Sequence, residues 1–149
     1  MSSVAIDSEV RAQVAEVLVR YATGIDRRDW ELFRSCFTED CHADYVDIGV
    51  WHSANAITEW MKETHAPCGH TLHRISDEVV ATHDHGVSSR SYVDALIMGP
   101  DNTTGTQAIG YYDDVLALRA GGWKIARRRF TLVCMRSVVP GLTPPPGTR

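Results

Sequence analysis

The second half of the chain leaves its backbone few options. Apolar and β-branched residues run through four long segments, 71–82, 87–98, 105–119 and 123–138, and each is separated from the next by a short group of turn residues. The breakers are Asp84-His85-Gly86, Gly99-Pro-Asp-Asn-Thr-Thr104 and Ala120-Gly121-Gly122. Parallel neighbours need a crossover of about a dozen residues or more, so connections this short dictate an antiparallel meander. The tail, Pro140-Gly-Leu-Thr-Pro-Pro-Pro-Gly-Thr-Arg149, cannot continue a sheet because proline has no N–H to give. Residues 139–149 are expected to form an extended arm.

The first half has a helical period instead. After Asp7 or Ser8, either a good N-cap, apolar residues recur at Val10, Val14, Val17, Leu18 and Tyr21, and Gly24 is expected to end the helix. A second, short helix begins near Asp29, with Trp30, Phe33 and Phe37 on its inner face, and stops before Thr38-Glu39-Asp40. Asp26 therefore falls in the elbow between two helices. Residues 41–50 alternate loosely and predict a strand, and Ser53 can cap a third helix whose buried side is Ile57, Trp60 and Met61. Three helices followed by a long meander predict an α+β fold. The expected form is a cone-shaped barrel, a strongly curved and mostly antiparallel sheet whose concave face the N-terminal helices cover. The open end of such a cone is a natural ligand pocket.

At 149 residues and 44% hydrophobic positions, the chain fits a single domain over 1–149. A net charge of −4 gives no nucleic-acid footprint, and the basic run Arg127-Arg128-Arg129 lies in a strand, where neighbours face opposite ways. Cys36, Cys41, Cys68 and Cys134 form no C-x-x-C, which suits buried thiols in a reducing compartment. The first residues have no basic stretch leading into an apolar core, and no run is long enough to span a bilayer. A soluble, cytoplasmic, unprocessed protein is the expectation, with neither membrane nor nucleic acid as a partner.

Chemistry concentrates in Gly69-His70-Thr71-Leu72-His73-Arg74-Ile75-Ser76, read together with Asp26. A carboxylate on one imidazole nitrogen fixes the tautomer and makes the other nitrogen a better base. Spacing alone leaves an Asp26–His73 pair open between catalysis and a structural link from helix to sheet. His65, His70, His73, His83 and His85 invite a metal reading, but His70 and His73 on a strand point to opposite faces and His83-x-His85 sits at a turn, so no metal site is expected. His70 stands open between a pocket residue and a loop residue. Trp30, Tyr92 and Tyr112 are further candidates for contact with a ligand, with Tyr92 and Asp94 on one face of their strand.

The order Tyr21-Ala-Thr-Gly-Ile-Asp26-Arg-Arg-Asp29-Trp30, Phe37-Thr-Glu-Asp40, His73, Gly110-Tyr-Tyr-Asp-Asp and Gly122-Trp123-Lys124-Ile125 resembles the nuclear-transport-factor-2-like superfamily, and within it the SnoaL-like, scytalone-dehydratase-like branch. The resemblance covers nearly the whole chain. It implies that Asp26 hydrogen-bonds His73 as a general acid/base dyad. It also implies that Tyr45, nineteen residues after the aspartate, acts through a water on a substrate carbonyl. Tyr21, five residues before Asp26, matches a tyrosine of the similar bile-acid dehydratases. The dehydrochlorinase acting on hexachlorocyclohexane shares the dyad, so the constellation serves eliminations broadly. Ile97, Gly110 and Tyr112 depart from the polar substrate contacts of scytalone dehydratase. The implied activity is a cofactor-independent lyase that removes water from a hydrophobic cyclic hydroxy-carbonyl compound, in a homodimer or homotrimer. Its competitors are ketosteroid-isomerase-like proton shuttling, a non-catalytic ligand-binding domain, and an accessory subunit similar to the small subunit of ring-hydroxylating dioxygenases.

Overall fold

A computed structural model describes residues 6–84 and 86–140. The elements run α1 (Ser8–Asp26), α2 (Trp30–Ser35), β1 (Phe37–Asp44), β2 (Val50–Trp51), α3 (Ala54–His65), β3 (Thr71–His83), β4 (Gly86–Met98), β5 (Gly105–Arg119) and β6 (Gly122–Val138). Each helix starts on a side-chain cap that satisfies one of its free N–H groups: Asp7 accepts from Glu9 N at 2.9 Å, Asp29 from Leu32 N at 3.0 Å and Ser53 from Ala56 N at 3.0 Å.

The strands form one six-stranded sheet in the order β2-β1-β6-β5-β4-β3. β3 to β6 make the antiparallel meander, and β1 returns to lie parallel against β6. Register shifts in the β3–β4 pair and twice in the β5–β6 pair bend the sheet, as bulges do. Burial alternates along the strands: Val87, Ser89, Ser91, Val93 and Ala95 of β4 face in, as do Ala108, Tyr112, Asp114 and Leu116 of β5. The helices close this concave side. Val14, Leu18, Tyr21 and Ile25 of α1 and Ile57 of α3 are almost fully removed from water against it, at about 1.5–3 kcal/mol for each large apolar side chain.

Several local expectations differ from what is observed. Gly24 does not end α1, which continues to Asp26. Its role is close approach, since a Cβ there would stand 2.8 Å from the backbone nitrogen of Phe33 in α2. Phe37 is not on α2; it opens β1, and Thr38-Glu39-Asp40 is strand rather than loop, carried across an irregularity between Phe37 and His42, which pair with Ile125 and Arg127 of β6. The strand expected over 41–50 is interrupted. The chain turns after Asp44, whose carboxylate takes Val46 N at 2.8 Å while Val46 adopts φ 54°, and it resumes only at Val50. All four cysteines are free, but only Cys36 and Cys41 are buried. Of the expected C-terminal arm, residues 141–149 lie outside the described residues. Among the described residues no helix is long and apolar enough to cross a membrane.

Candidate active site

The end of α1 and the start of β3 meet at the mouth of the cone. Asp26, the last residue of α1, takes three hydrogen bonds from β3: His73 Nδ1–H to Oδ1 at 2.8 Å, His73 N–H to Oδ2 at 2.9 Å and the Thr71 hydroxyl to Oδ1 at 3.0 Å. Burial pushes the Asp26 carboxyl up, but the side-chain and backbone bonds from His73 outweigh it, and its pKa is held below the usual value. The carboxylate is therefore ionised at neutral pH and fixes the proton of His73 on Nδ1. Arg28 locks the corner from behind. With φ 57° it reaches the Ile25 carbonyl and the Thr71 hydroxyl through Nη1, each at 2.8 Å, and the Gly69 carbonyl through Nη2 at 2.7 Å.

The His73 ring, 7% exposed, opens onto a cavity of about 110 Å³. Most of the wall is apolar, with Trp60, Met61, Val93, Ile97 and Phe130. At its inner end three tyrosines bring their hydroxyls together: Tyr21 to Tyr45 at 2.8 Å and Tyr21 to Tyr112 at 3.3 Å. Burial raises the pKa of Tyr21 and of Tyr45 well above the ordinary phenol value, so both keep their protons and remain donors. Behind them lies Arg128. Its guanidinium carbon sits 4.3 Å from the Tyr21 ring centre and 3.8 Å from that of Tyr112, and its Nε and Nη2 form a fork with Asp114, each bond 2.7 Å. Both members of this pair are fully buried. A phenol at this end of the cavity thus has a positive charge behind it.

Asp26, His73, Tyr21, Tyr45 and Tyr112 therefore share one site, while three other sequence candidates do not reach it. Trp30 packs edge-on against Phe33 at 6.0 Å and beside the ring of His65 at 6.2 Å, behind the cavity wall. His70 precedes β3 and is exposed; its backbone N–H binds the Asn102 side chain. Tyr92 is 51% exposed on the convex face, edge-on to Tyr111, because the inward parity of β4 belongs to Ser91 and Val93. Asp94 shares that outer face and pairs with Arg74.

Three residues of this site were not assigned to it from the sequence. Asp114 keeps the inward parity of Tyr112 and Leu116, and Arg128 that of Phe130, so two opposite charges at inward positions were a visible signal. His65 extends the stripe Ile57–Met61 by one more turn of α3 and lines the cavity. A larger hollow of about 560 Å³ lies elsewhere, between the outer side of α1 and the β5–β6 turn near Leu118 and Trp123, with no part of the dyad in its walls. Among the described residues no group of three or more His, Cys, Asp and Glu side chains is placed to hold a metal ion.

Comparison with known proteins agrees with this geometry at the level of family and fold. The profile of the SnoaL-like domain matches residues 7–129. A candidate scytalone dehydratase from Novosphingobium aromaticivorans superposes with a TM-score of 0.78 at 18% identity, over 90% of this chain and 97% of that one. A hexachlorocyclohexane dehydrochlorinase, LinA type 2, gives 0.80 at 16% identity, over 93% and 95%. A protein of unknown function from Mycobacterium tuberculosis gives 0.71 at 25% identity, over 83% and 71%. No curated protein matches the chain.

Proposed function

The chain belongs to the SnoaL-like domain family, and from that premise we propose that it is a small-molecule lyase that eliminates water from a cyclic hydroxy-carbonyl substrate, with Asp26 and His73 as its acid/base dyad. One observation carries the reading: the Asp26 carboxylate holds Nδ1–H of His73 at 2.8 Å while the ring faces an apolar cavity. A pair serving only to join helix to sheet has no need of that orientation.

With Nδ1 committed to Asp26, Nε2 of His73 is the free base. It takes the proton next to the substrate carbonyl, and the C–H electron pair moves into an enolate. Tyr45 or Tyr21, held protonated, donates a hydrogen bond to the enolate oxygen, and Arg128 behind them favours the developing negative charge. The enolate then returns its electrons to re-form the carbonyl, the C–O bond to the β-hydroxyl breaks, and the His73 imidazolium gives its proton to the departing group, which leaves as water. Asp26 keeps the imidazolium oriented and charge-balanced throughout. Positioned proton transfer contributes roughly 10²–10⁴-fold to such a step. The cavity matches one substituted ring, and its apolar wall strengthens each polar contact made inside it.

The test runs wild type and His73→Ala against single-ring cyclic hydroxy-ketones, with thermal shift to find ligands and mass spectrometry to follow conversion. Ligands that stabilise both proteins and lose water only with the wild type support the lyase. A product of unchanged mass means isomerisation by the same proton shuttle. Binding without any conversion returns the chain to a ligand-binding role. A homodimer or homotrimer belongs to this proposal, motivated by Val133 and Met135, exposed near the end of β6, and is read by light scattering.

A further inference from the structure

His65, the last residue of α3, is 4% exposed. Its Nδ1 lies 2.9 Å from the Met61 carbonyl, which can only accept, so the ring proton sits on Nδ1 and Nε2 is left as a lone-pair acceptor. That Nε2 is buried and has no hydrogen-bond partner among the described residues. Burial pushes the pKa of the ring down, ahead of the opposing Met61 bond, and the imidazole is neutral near pH 7. A buried acceptor without a partner is a standing cost that a matching donor relieves. The ring lines the same cavity as His73, with the two ring centres 6.1 Å apart.

We infer that Nε2 of His65 is the specificity acceptor of this cavity, binding an O–H donor carried by a single-ring ligand. A ligand hydroxyl that reaches Nε2 of His65 from the cavity lies beside the His73 ring, whose centre is 6.1 Å from that of His65. A ligand hydroxyl there donates its proton to His65 and keeps its lone pairs for His73. In the lyase reading that hydroxyl is the leaving group, and His65 holds it so that a lone pair faces Nε2–H of the imidazolium. This last step rests on the proposed function; the binding preference does not. An ether in place of the hydroxyl leaves the His65 lone pair unpaired, which is how a site built for a donor rejects an analogue that lacks one.

Phenol and its methyl ether, anisole, are the probes, because neither contains a group that can be eliminated. Affinities are measured by titration on wild type and on His65→Phe. The expected result is that the preference for phenol over anisole falls by roughly 5- to 30-fold in the variant. A long-range ¹H–¹⁵N spectrum of the wild type reads the same contact without any substitution, so a variant that fails to fold leaves the test intact. Phenol shifts the Nε2 resonance of His65 and anisole does not. An unchanged preference, an Nε2 signal indifferent to phenol, or no binding of phenol to the wild type overturns the inference. If His73→Ala retains activity while the phenol preference persists, the lyase reading fails and the His65 site stands.

Discussion

Asp113 and Asp114 are neighbours on β5 that face opposite sides of the sheet, and each forms a two-pronged pair with an arginine on an adjacent strand. Asp114 binds Arg128 at 2.7 and 2.7 Å with both side chains 0% exposed; Asp113 binds Arg90 at 2.6 and 2.8 Å with side chains 41% and 51% exposed. The geometry is alike and only the solvent differs. Asp114→Ala leaves a guanidinium buried without its counter-charge. The faces of Tyr21 and Tyr112 remain, but a cation–π contact is worth about 2 kcal/mol when desolvated and does not replace two charged hydrogen bonds. The expected cost is about 3–5 kcal/mol. For a chain near 150 residues that lowers the thermal midpoint by roughly 6–20 °C. Asp113→Ala leaves the midpoint near that of the wild type, because exposed pairs contribute little. The double variant Asp114→Leu/Arg128→Leu removes the orphaned charge and recovers a large part of the loss. Differential scanning calorimetry of Asp114→Ala, Asp113→Ala and the double variant reads the three midpoints. An Asp114→Ala midpoint no lower than that of Asp113→Ala, or a double variant no more stable than Asp114→Ala, refutes the reasoning.

Asp26 titrates below its ordinary value in the folded chain, so its contribution to stability is complete above the unfolded-chain pKa of about 3.9 and is lost as pH falls through the lower folded value. Urea midpoints against pH should therefore show an acid limb that is shallower in Asp26→Asn. Tyr45→Phe removes one donor from the hydroxyl cluster and should lower kcat by roughly 10²–10³-fold with little change in fold, as read by steady-state kinetics and circular dichroism. Gly24→Ala puts a methyl 2.8–2.9 Å from Phe33 N, Cα and Cβ. The overpacking cost of about 1–3 kcal/mol should exceed the roughly 1 kcal/mol that alanine gains over glycine in a helix, as read by chemical denaturation.

The meander was legible because turn residues and strand period agree over four consecutive segments, and α3 because Ser53 and the stripe from Ile57 to Met61 announce it. The front of the sheet was not. Phe37–Asp44 mixes buried apolar residues with Glu39 and Asp40, and its partners, the two-residue β2 and above all β6 far along the chain, make it a strand. Gly24 misled because a glycine tolerated for close packing and a glycine that stops a helix look the same in one sequence. The juxtaposition of Asp26 and His73 came from family resemblance, since nothing local ties a helix end to a strand start 47 residues away. Tyr92 was misplaced because parity along β4 can be read either way until a register is fixed. Arg128 was passed over inside a run of three arginines, where alternation already required one to face inward.

The central claim is that His73, held by Asp26, removes a proton next to a carbonyl, and it can be measured without knowing the leaving group. Cyclohexanone, a single-ring ketone, is incubated in D₂O with wild type and with His73→Ala, and loss of the α-proton signal is followed by NMR. The account predicts exchange above the buffer rate with the wild type and only the buffer rate with His73→Ala. Equal exchange by both proteins, or none above buffer with the wild type, contradicts it.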